Sequence, residues 1–382
     1  MLVHLAARDY RNFSSLDVAV PASGLVIVGE NGHGKTNLLE AVAYLALLRS
    51  FRGARDADVI RFGAPAFHVR ATLSAPSAWH TVSVGYERAT KRKRATLDGV
   101  EQPRLTNALG ALPSVEFSPA DVSLVAGAPG ERRRYLDVML ALSSPAYLQA
   151  LQQYRAALLR RNAALRTAQR DAARGAGRGS DHESRVSVWE PALAEYGGFV
   201  VAARHAFVQE QAERYLQLCT AIGERQGAVL RYTSVGGDNG DALATSSTAQ
   251  GEALTRAFEQ QRATEMRRGV TLVGPHRDEL QLQLGGRDLR TFGSAGQQRS
   301  AAIALRLLEL ATLRAAIGHP PLLLLDDPFA ELDLGRAKRV LELLDDAGAA
   351  QVLLAVPREE DIPEAFTRLE RRTMRDGALT SA

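Results

Sequence analysis

Alternating apolar and polar positions dominate the first hundred residues. FHVRATL and HTVSVGYE change character at about every second residue, and together with LVHLAARDY they predict β-strands. Between them, the apolar run LVIV (Leu25 to Val28) predicts a further strand, and NLLEAVAYLALL from Asn37 predicts a helix. This part of the chain therefore predicts a mixed sheet with helices.

From Pro129 the period of the apolar positions changes to three and four residues, which is typical of amphipathic helices. Positions at this spacing include Leu148, Leu151, Tyr154, Leu158 and Leu165. The pattern predicts helices up to about Ala173 and again over 189–222, separated by a glycine-rich linker over 174–181. The polar tract over 235–251 is rich in Gly, Ser and Thr, and it predicts a loop.

The last third of the chain returns to α/β character. It contains a predicted helix over 295–317, the apolar run LLLL, a helix through Val340 and the strand QVLLAV. Each α/β part alone would leave an incomplete sheet, so we expect the two parts to join. The sequence thus predicts residues 1–125 and 269–382 as the halves of one α/β domain, and residues 126–268 as an inserted, mainly helical domain.

The overall composition is that of a soluble globular protein, with 46% hydrophobic and 24% charged residues. No run approaches the roughly 18 apolar residues of a membrane span, and the first residues lack the features of a signal peptide. A single cysteine, Cys219, excludes an internal disulfide and a cysteine-based metal site. We therefore expect a reduced, cytoplasmic setting.

Arginine is concentrated in one part of the chain. The net charge is +4, but residues 128–180 alone contain ten arginines, no lysine and three acidic residues. A locally basic surface attracts polyanions such as DNA or RNA. The same pattern also fits a solvated helical face in an arginine-rich protein, so charge alone leaves both interpretations open.

The segment from Gly29 to Thr36 (GENGHGKT) completes the phosphate-binding pattern G-x-x-x-x-G-K-[ST] between a predicted strand and a predicted helix. Its glycines let backbone N–H groups surround phosphate oxygens, and the following helix directs its positive end at the same anion. We expect Lys35 to reach the β- and γ-phosphates and the Thr36 hydroxyl to bind Mg²⁺. The candidate nucleotide-binding residues are Gly29, Glu30, Asn31, Gly32, His33, Gly34, Lys35, Thr36 and Asn37.

Two carboxylates, Asp326 and Asp327, end the predicted strand LLLLDD. Ligands collect at the carboxyl ends of parallel strands in α/β folds. Asp326 is therefore a candidate Mg²⁺ ligand, and Asp327 is a candidate for polarising the attacking water. A strand followed by an acidic turn without a function is the alternative, and the phosphate-binding loop upstream argues against it.

A second candidate anion site precedes the helix over 295–317. It consists of Ser294, Ala295, Gly296 and Gln297 (SAGQ). Downstream lie the strand ending in two aspartates and then PFAELD, with Glu331 and Asp333. This order of motifs resembles the signature, second acidic residue and D-loop of ABC-type ATPases. The resemblance implies that SAGQ caps the γ-phosphate held by a second chain, so that ATP drives homodimerisation.

Longer blocks of the sequence resemble one bacterial family. They are RNF (Arg11 to Phe13), GENGHGKTNLLEA, FSPADVSLVAGAPGERRRYLD (Phe117 to Asp137), VGPHRDEL (Val273 to Leu280), SAGQQR and LLLLDDPFAELD. In this order and over essentially the full length, they resemble the RecF family of recombination proteins. The resemblance implies an α/β fold, an ABC/SMC-type P-loop ATPase head with a helical second domain inserted. It also implies ATP and Mg²⁺ as cofactors.

The same resemblance implies a role in DNA repair. The family binds DNA, favours duplex beside single-stranded gaps and dimerises with ATP. It acts with RecO and RecR in loading RecA on DNA coated with single-strand-binding protein. For this chain the resemblance implies a weak, DNA-stimulated ATPase of the cytoplasm, associated with the nucleoid. Arg132, Arg133 and Arg134 are then candidate contacts to DNA phosphates.

Two positions depart from the ABC-type pattern. Asp327 stands where a glutamate is usual, which predicts slow hydrolysis, and Glu331 is the alternative group for positioning the water. Residues 356–358 (VPR) stand where a switch histidine is common, so the sequence does not identify the residue that senses the γ-phosphate. An ABC-type subunit of a transporter shares the four motifs and is the alternative function. A further alternative is a scaffold protein that binds ATP without hydrolysing it.

Overall fold

The chain forms two compact units in a computed structural model. The structure describes residues 1–174, 179–237, 246–330, 332–346, 348 and 351–381. The first unit comprises Met1–Asp121 and Ile303–Ala382, and the second comprises Val122–Ala302. The functional domain boundaries at 125/126 and 268/269 stay a prediction. Among the described residues, no helix combines the length and the apolar character that crossing a membrane requires.

The secondary structure alternates between strands and helices in the first unit and is mainly helical in the second. The strands are β1 (Leu2–Tyr10), β2 (Phe13–Ala19), β3 (Gly24–Val28), β4 (Ala66–Leu73), β5 (Thr81–Glu87), β6 (Arg92–Leu97), β7 (Val100–Glu101), β8 (Ser114–Phe117), β9 (Ala228–Thr233), β10 (Glu279–Leu284), β11 (Arg287–Asp288), β12 (Leu322–Asp326), β13 (Val352–Val356), β14 (Glu370–Arg375) and β15 (Ala378–Ser381). The helices are α1 (Lys35–Leu47), α2 (Asp56–Val59), α3 (Ser123–Ala126), α4 (Pro129–Ser143), α5 (Pro145–Ala173), α6 (Gly179–Ser187), α7 (Glu190–Ile222), α8 (Ser247–Arg268), α9 (Leu289–Phe292), α10 (Ala295–Ile317) and α11 (Leu334–Asp346).

One sheet of the first unit is antiparallel, with the strand order β2-β1-β4-β5-β6-β7. A tight turn joins β1 to β2, and Tyr10 lies opposite Phe13 there. In β4 the side chains of Phe67, Val69 and Ala71 are buried, while the residues between them are exposed. This alternation confirms the strands predicted from the sequence.

The other sheet of the first unit has the order β15-β14-β3-β13-β12-β8. Its strands from β14 to β8 run parallel, and β15 is antiparallel at the edge. Strand β3 pairs with β13, so Ile27 lies opposite Ala355. Distant parts of the sequence therefore complete one sheet, as predicted, and the carboxyl ends of β3 and β12 lie at the same edge.

Helix α1 contacts strands of both sheets of the first unit. Every residue from Leu38 to Ala46 is buried, so the helix has no polar face. Alanine and leucine suit this position because they favour helix and carry no polar group that burial would leave unpaired. The exception in this segment is the charged Glu40, which is completely buried.

The second unit is built around α5, α7 and α8, which pack against one another. Tyr154, Leu193, Leu254 and Phe258 form the centre of one apolar cluster between these helices. A small antiparallel sheet, in the order β11-β10-β9, belongs to the same unit. The predicted long helix that ends at Ile222 is confirmed as α7.

Two segments predicted as irregular are partly helical. Helix α6 begins at Gly179, inside the predicted linker, and α8 begins at Ser247, inside the predicted polar loop. The prediction of irregular structure is wrong at these ends. Residues 175–178 and 238–245 lie outside the described residues.

Candidate functional site

The phosphate-binding loop joins β3 to α1, as the motif predicts. Helix α1 begins at Lys35, and its N-cap Gly34 has φ 114°, a left-handed conformation that glycine adopts without strain. A Cβ at Gly34 would lie 2.7 Å from the side-chain nitrogen of Asn12, and one at Gly29 would lie 2.4 Å from the carbonyl oxygen of Met374. Close approach thus requires both glycines. The exposed tip of the loop consists of Glu30, Asn31 and Gly32.

The loop concentrates positive charge. The N-cap supplies no side-chain acceptor to the first turn of α1, which leaves this helix terminus suited to an anion. The Nζ atom of Lys35 donates to the carbonyl oxygens of Gly29 (2.5 Å) and Glu30 (2.9 Å), and so it lies within the loop. Burial lowers the pKa of Lys35, against the opposing effect of the charges on Asp326 and Asp327. A bound phosphate, with its negative charge, would raise this pKa again and stabilise the charged lysine.

Thr36 and Asp326 lie far apart in the sequence and meet at the loop. The Thr36 hydroxyl lies 3.0 Å from Oδ1 and 2.8 Å from Oδ2 of Asp326. Burial raises the pKa of the Asp326 carboxyl, while the hydrogen bond from Thr36 and the charge of Lys35 lower it. In the described ranges, no group of three or more His, Cys, Asp or Glu side chains could hold a metal ion by itself. One hydroxyl and one carboxylate nevertheless fit Mg²⁺, which shares its oxygen ligands with substrate phosphates.

A buried ion pair supports the helix that follows the loop. Arg11 donates through Nε and Nη2 to the two carboxylate oxygens of Glu40, at 2.7 and 2.6 Å. Ser50 donates to the same carboxylate at 2.5 Å. Arg52, 47% exposed, lies 3.8 Å from it and donates to the side chain of Asn37 at 3.1 Å. Sequence reasoning missed Arg11 and Arg52 as neighbours of the site, because they come from separate turns.

His33 connects the loop to the turn between β14 and β15. Its Nδ1 lies 3.0 Å from the backbone nitrogen and 3.1 Å from the carboxylate of Asp376, and its Nε2 lies 3.7 Å from the Glu30 carboxylate. The His33 carbonyl oxygen accepts from the Asn12 side chain and from the Gly377 N–H, each at 3.0 Å. His33 therefore holds the loop between two turns.

Asp327 follows β12 in a left-handed conformation with φ 45°. Aspartate and asparagine adopt this region more readily than most residues, which gives a backbone reason for an aspartate here. Its N–H donates to the carbonyl oxygen of Ala355 at 2.9 Å. Val356 ends β13, and its carbonyl oxygen accepts from the N–H of Gly29 at 3.3 Å. Glu331, the alternative group for positioning water, lies outside the described residues.

The predicted signature and D-loop residues begin two helices. Ser294 Oγ accepts from the N–H of Gln297 at 3.3 Å, and the Ser294 N–H donates to Gln297 Oε1 at 2.9 Å, so the two residues cap α10 reciprocally. Asp333 caps α11 by accepting from the N–H of Arg336 at 2.9 Å, with its side chain 65% exposed. Both segments are surface helix starts, and each has a local structural role as well as any role in binding.

The arginine triplet of α4 is largely used inside the second unit. Arg132, with its side chain 5% exposed, donates to Glu279 at 2.8 Å and to two backbone carbonyl groups. Arg133 is half-buried and donates to the carbonyl oxygen of Asp278 at 2.7 Å. Arg134 is half-buried and also has an interaction partner. Because phosphate contact needs an accessible guanidinium, the burial of Arg132 removes this side chain from the DNA hypothesis.

The ERRRYLD and GPHRDEL blocks meet in a buried polar network. Asp137 accepts from Arg204 at 2.6 Å and from the Tyr147 hydroxyl at 2.7 Å, while Asp278 accepts from the Tyr232 hydroxyl. Burial raises the pKa of Asp137, but the neighbouring Arg204 outweighs it, so the pKa lies below its usual value. At Asp278 burial dominates and the pKa lies above its usual value. The two blocks thus build the interior of the second unit.

His276 belongs to the same interior. Its Nδ1 accepts from the Tyr154 hydroxyl at 2.6 Å, and its Nε2 lies 3.2 Å from the carbonyl oxygen of Thr271. These partners fit a neutral ring protonated on Nε2. Burial lowers the pKa of His276 to about 4. The histidine is therefore a structural group of the helical unit.

Exposed arginines lie along α5 and at its end. They are Arg155, Arg160, Arg166, Arg170 and Arg174. At about 100° per residue they occupy an arc of about 140°, opposite buried residues such as Tyr154 and Leu165. Asp171, the acidic residue of this helix, is half-buried and lies 3.7 Å from His182. The result is a basic helical face.

Known proteins are similar to this chain over almost its whole length. Residues 1–380 match the family described as RecF/RecN/SMC N terminal domain. The chain is 38% identical over 368 residues to the DNA replication and repair protein RecF of Frankia alni, covering 96% of each chain. It is 37% identical over 387 residues to the protein of the same description from Streptomyces avermitilis, covering 99% of each.

Solved structures share the fold. A structure of the recombination mediator protein RecF with ATP, in the RecFOR pathway, matches with a TM-score of 0.88 and 26% identity over 100% of this chain and 97% of that chain. A crystal structure of an Smc head bound to the C-winged helix domain of ScpA matches with a TM-score of 0.53 and 14% identity, covering 100% of this chain and 96% of that chain. The predicted ABC/SMC-type head fold is confirmed.

Proposed function

Since the chain belongs to the RecF family of ABC/SMC-type ATPase heads, we propose that it is an ATP-dependent DNA-binding protein of recombinational repair. Two copies bind ATP between them and close on duplex DNA beside a single-stranded gap. Slow hydrolysis then reopens the dimer. The observation that carries the proposal is the meeting of Thr36 and Asp326 beside the phosphate-binding loop.

The nucleotide half of the site uses groups of the first unit. Lys35 and the N-terminus of α1 bind the β- and γ-phosphates, supported by the position of Lys35 Nζ within the loop. Thr36 and Asp326 would hold Mg²⁺. When bound, this ion neutralises phosphate charge and orients the γ-phosphate. The ion pair of Arg11 with Glu40 keeps α1 in place, and Arg52 adds positive charge beside the loop.

Hydrolysis needs a group that orients and polarises water. We assign this role to Asp327, with Glu331 as the alternative in the same segment. The aspartate is one methylene shorter than the glutamate usual at this position, so its carboxylate holds the water less closely. We therefore expect slow turnover, which suits a timed clamp on DNA.

The second half of each ATP site comes from the other copy. Ser294 to Gln297 cap the γ-phosphate bound by the partner chain, and Asp333 lies in the D-loop at the same interface. Support comes from the exposure of Ser294 and Ala295 at the start of α10, where a second chain can reach them. An interface with ATP at its centre depends on the γ-phosphate, so hydrolysis opens it.

We propose that the protein contacts the phosphates of DNA rather than its bases. The exposed arginines of the basic face of α5 replace the buried Arg132 in this role, and Arg133 and Arg134 stay candidates beside them. Such contacts recognise the backbone, which suits a protein that detects a junction. By family, RecO and RecR are the partners with which the protein loads RecA on DNA coated with single-strand-binding protein. Its place would be the cytoplasm, at the nucleoid.

Sedimentation with and without ATP and duplex DNA tests the clamp. We expect a monomer without nucleotide, a dimer with ATP, and a dimer–DNA complex when both are present. A phosphate-release assay with and without gapped DNA then separates an ATPase from a scaffold that only binds ATP. A chain that stays monomeric under every condition would overturn the proposal.

A further inference from the structure

A concavity of about 610 Å³ lies between α5, α7 and α8 of the second unit. It exists because small residues face one another there. A Cβ at Gly198 would lie 2.6 Å from the backbone nitrogen of Gly251, so α7 and α8 approach to backbone contact. Ala146, Ala150 and Ala194 also line the space. The crossing thus leaves a pocket that no large side chain of the described residues fills.

The charge in this pocket is negative. Glu195 on α7 and Glu252 on α8 both line it and are exposed, and the described residues of its lining include no Lys, Arg or His. Within the described ranges, neither carboxylate forms a hydrogen bond or an ion pair. Two carboxylates beside one cavity, neither of them paired within the described ranges, favour a cationic occupant.

Aromatic rings line the same pocket. Phe199 follows Glu195 by one helical turn and is 36% exposed, and the half-buried Tyr196 lies beside it. Ring faces attract cations, and a guanidinium stacks on them as well as pairing with a carboxylate through two parallel hydrogen bonds. The combination of rings with carboxylates selects an arginine side chain over a simple inorganic cation.

The two helix N-termini beside the pocket do not turn it into an anion site. Helices α5 and α8 both begin here, and a helix N-terminus favours anions. In each case, however, a serine already accepts from the first turn: Ser144 from the N–H of Tyr147, and Ser246 from the N–H of Ala249. The full charges of the two glutamates therefore decide the sign of the pocket. They also make it repel DNA.

We propose that this pocket is a docking site for an arginine-bearing segment of a partner protein. The guanidinium pairs with Glu195 and Glu252, and its plane packs on Phe199 or Tyr196. The site contains no residue of the proposed nucleotide site or of the basic face of α5. Protein docking and DNA binding can therefore occur together, and the site does not depend on the proposed ATP function.

The test uses the full-length chain and a blocked peptide, acetyl-Ala-Arg-Leu-Arg-Ala-amide. Its control has citrulline in place of each arginine, so the shape is kept and the charge is lost. In an NMR titration we expect the arginine peptide to bind at least about tenfold more tightly, since charge-assisted hydrogen bonds contribute about 1.5–3 kcal/mol, or more than about tenfold. The double variant E195Q/E252Q should lose this preference.

A matched variant, E210Q/E213Q, removes the same charge from exposed positions of α7 and should bind the peptide as the wild type does. Equal binding of both peptides, or unchanged binding by E195Q/E252Q, would overturn the proposal. So would the absence of peptide binding up to about 20 mM, a free energy weaker than about −2.3 kcal/mol. If E195Q/E252Q instead abolishes ATP-dependent dimerisation, the occupant is an arginine of a second copy, and the partner-protein proposal is wrong.

Discussion

Removing the basic face of α5 should weaken DNA binding by an amount that depends on salt. Arg166, Arg170 and Arg174 are spaced four residues apart, and so they span about 12 Å along one side of the helix. All three are exposed, and replacement by glutamine keeps their length and helix propensity. Exposed substitutions of this kind change the free energy of unfolding by less than about 0.5 kcal/mol, so the triple variant should fold.

The expected magnitude follows from counterion release. The slope of log K against log salt is negative, and each lost phosphate contact on duplex DNA reduces its magnitude by about 0.9. If each of the three arginines contacts one phosphate, the magnitude of the slope falls by about 2.7. Counted from equal affinities at 1 M salt, the affinity of the variant should then be about 80-fold lower at 0.2 M salt and about 500-fold lower at 0.1 M. Fluorescence anisotropy of a labelled gapped duplex, with ATP present, measures both quantities.

A second triple variant, R225Q/R231Q/R287Q, is the control for net charge. These three arginines are exposed on or beside the small sheet of the same unit, so the variant loses the same charge elsewhere. Its salt slope should stay within about 0.5 of the wild type. An unchanged slope in the α5 variant, or an equal loss in both variants, would refute the assignment of DNA to this face.

Three further predictions concern single residues. Gly34→Ala should abolish ATP binding in calorimetry, because its Cβ would lie 2.7 Å from the Asn12 amide at a positive φ; normal affinity would show that the loop tolerates the shift. Asp327→Asn should prolong the ATP-dependent dimer in sedimentation, and an unaltered hydrolysis rate would move the role to another group. Burial holds the pKa of His276 at about 4 against a usual 6.5, so its contribution to stability is complete above pH 6.5 and is lost as the pH falls toward 4. Between pH 7.5 and 5.5 the loss in the free energy of unfolding amounts to about 1 kcal/mol. Urea unfolding of His276→Gln should lack that part of the pH dependence. An equal pH dependence in the wild type and the variant would contradict the assignment.

Local sequence predicts the phosphate-binding loop well because its geometry depends on neighbouring residues. The glycines, Lys35 and Thr36 lie within one strand–loop–helix unit, and the run before Asp326 signals a buried strand by itself. The supporting contacts could not be predicted in the same way. Arg11 and Asp376 reach the site only because β1 and β14 belong to the same folded unit, and nothing in their own segments indicates it.

In the second, mainly helical unit, the sequence pattern was a poor guide to which residues are buried. Helix α8 buries only Leu254 and Phe258 as apolar side chains, beside Gln250 and Glu265, so its pattern is too polar to stand out in the sequence. Arg132 looked like a surface charge, but α4 packs against β10, where Glu279 pairs with it. A charge count cannot separate an exposed arginine from one that neutralises a buried carboxylate.

A mixing experiment tests the shared ATP site most directly. Lys35→Ala removes the phosphate-binding lysine, and Ser294→Arg blocks the signature; each variant alone should neither dimerise with ATP nor release phosphate. In a mixed dimer, the intact loop of the Ser294→Arg chain faces the intact signature of the Lys35→Ala chain, so one of the two sites is complete. We therefore predict that an equimolar mixture regains ATP-dependent dimers and phosphate release. A mixture as inactive as its components, with both chains folded, would contradict the claim that two chains share each ATP.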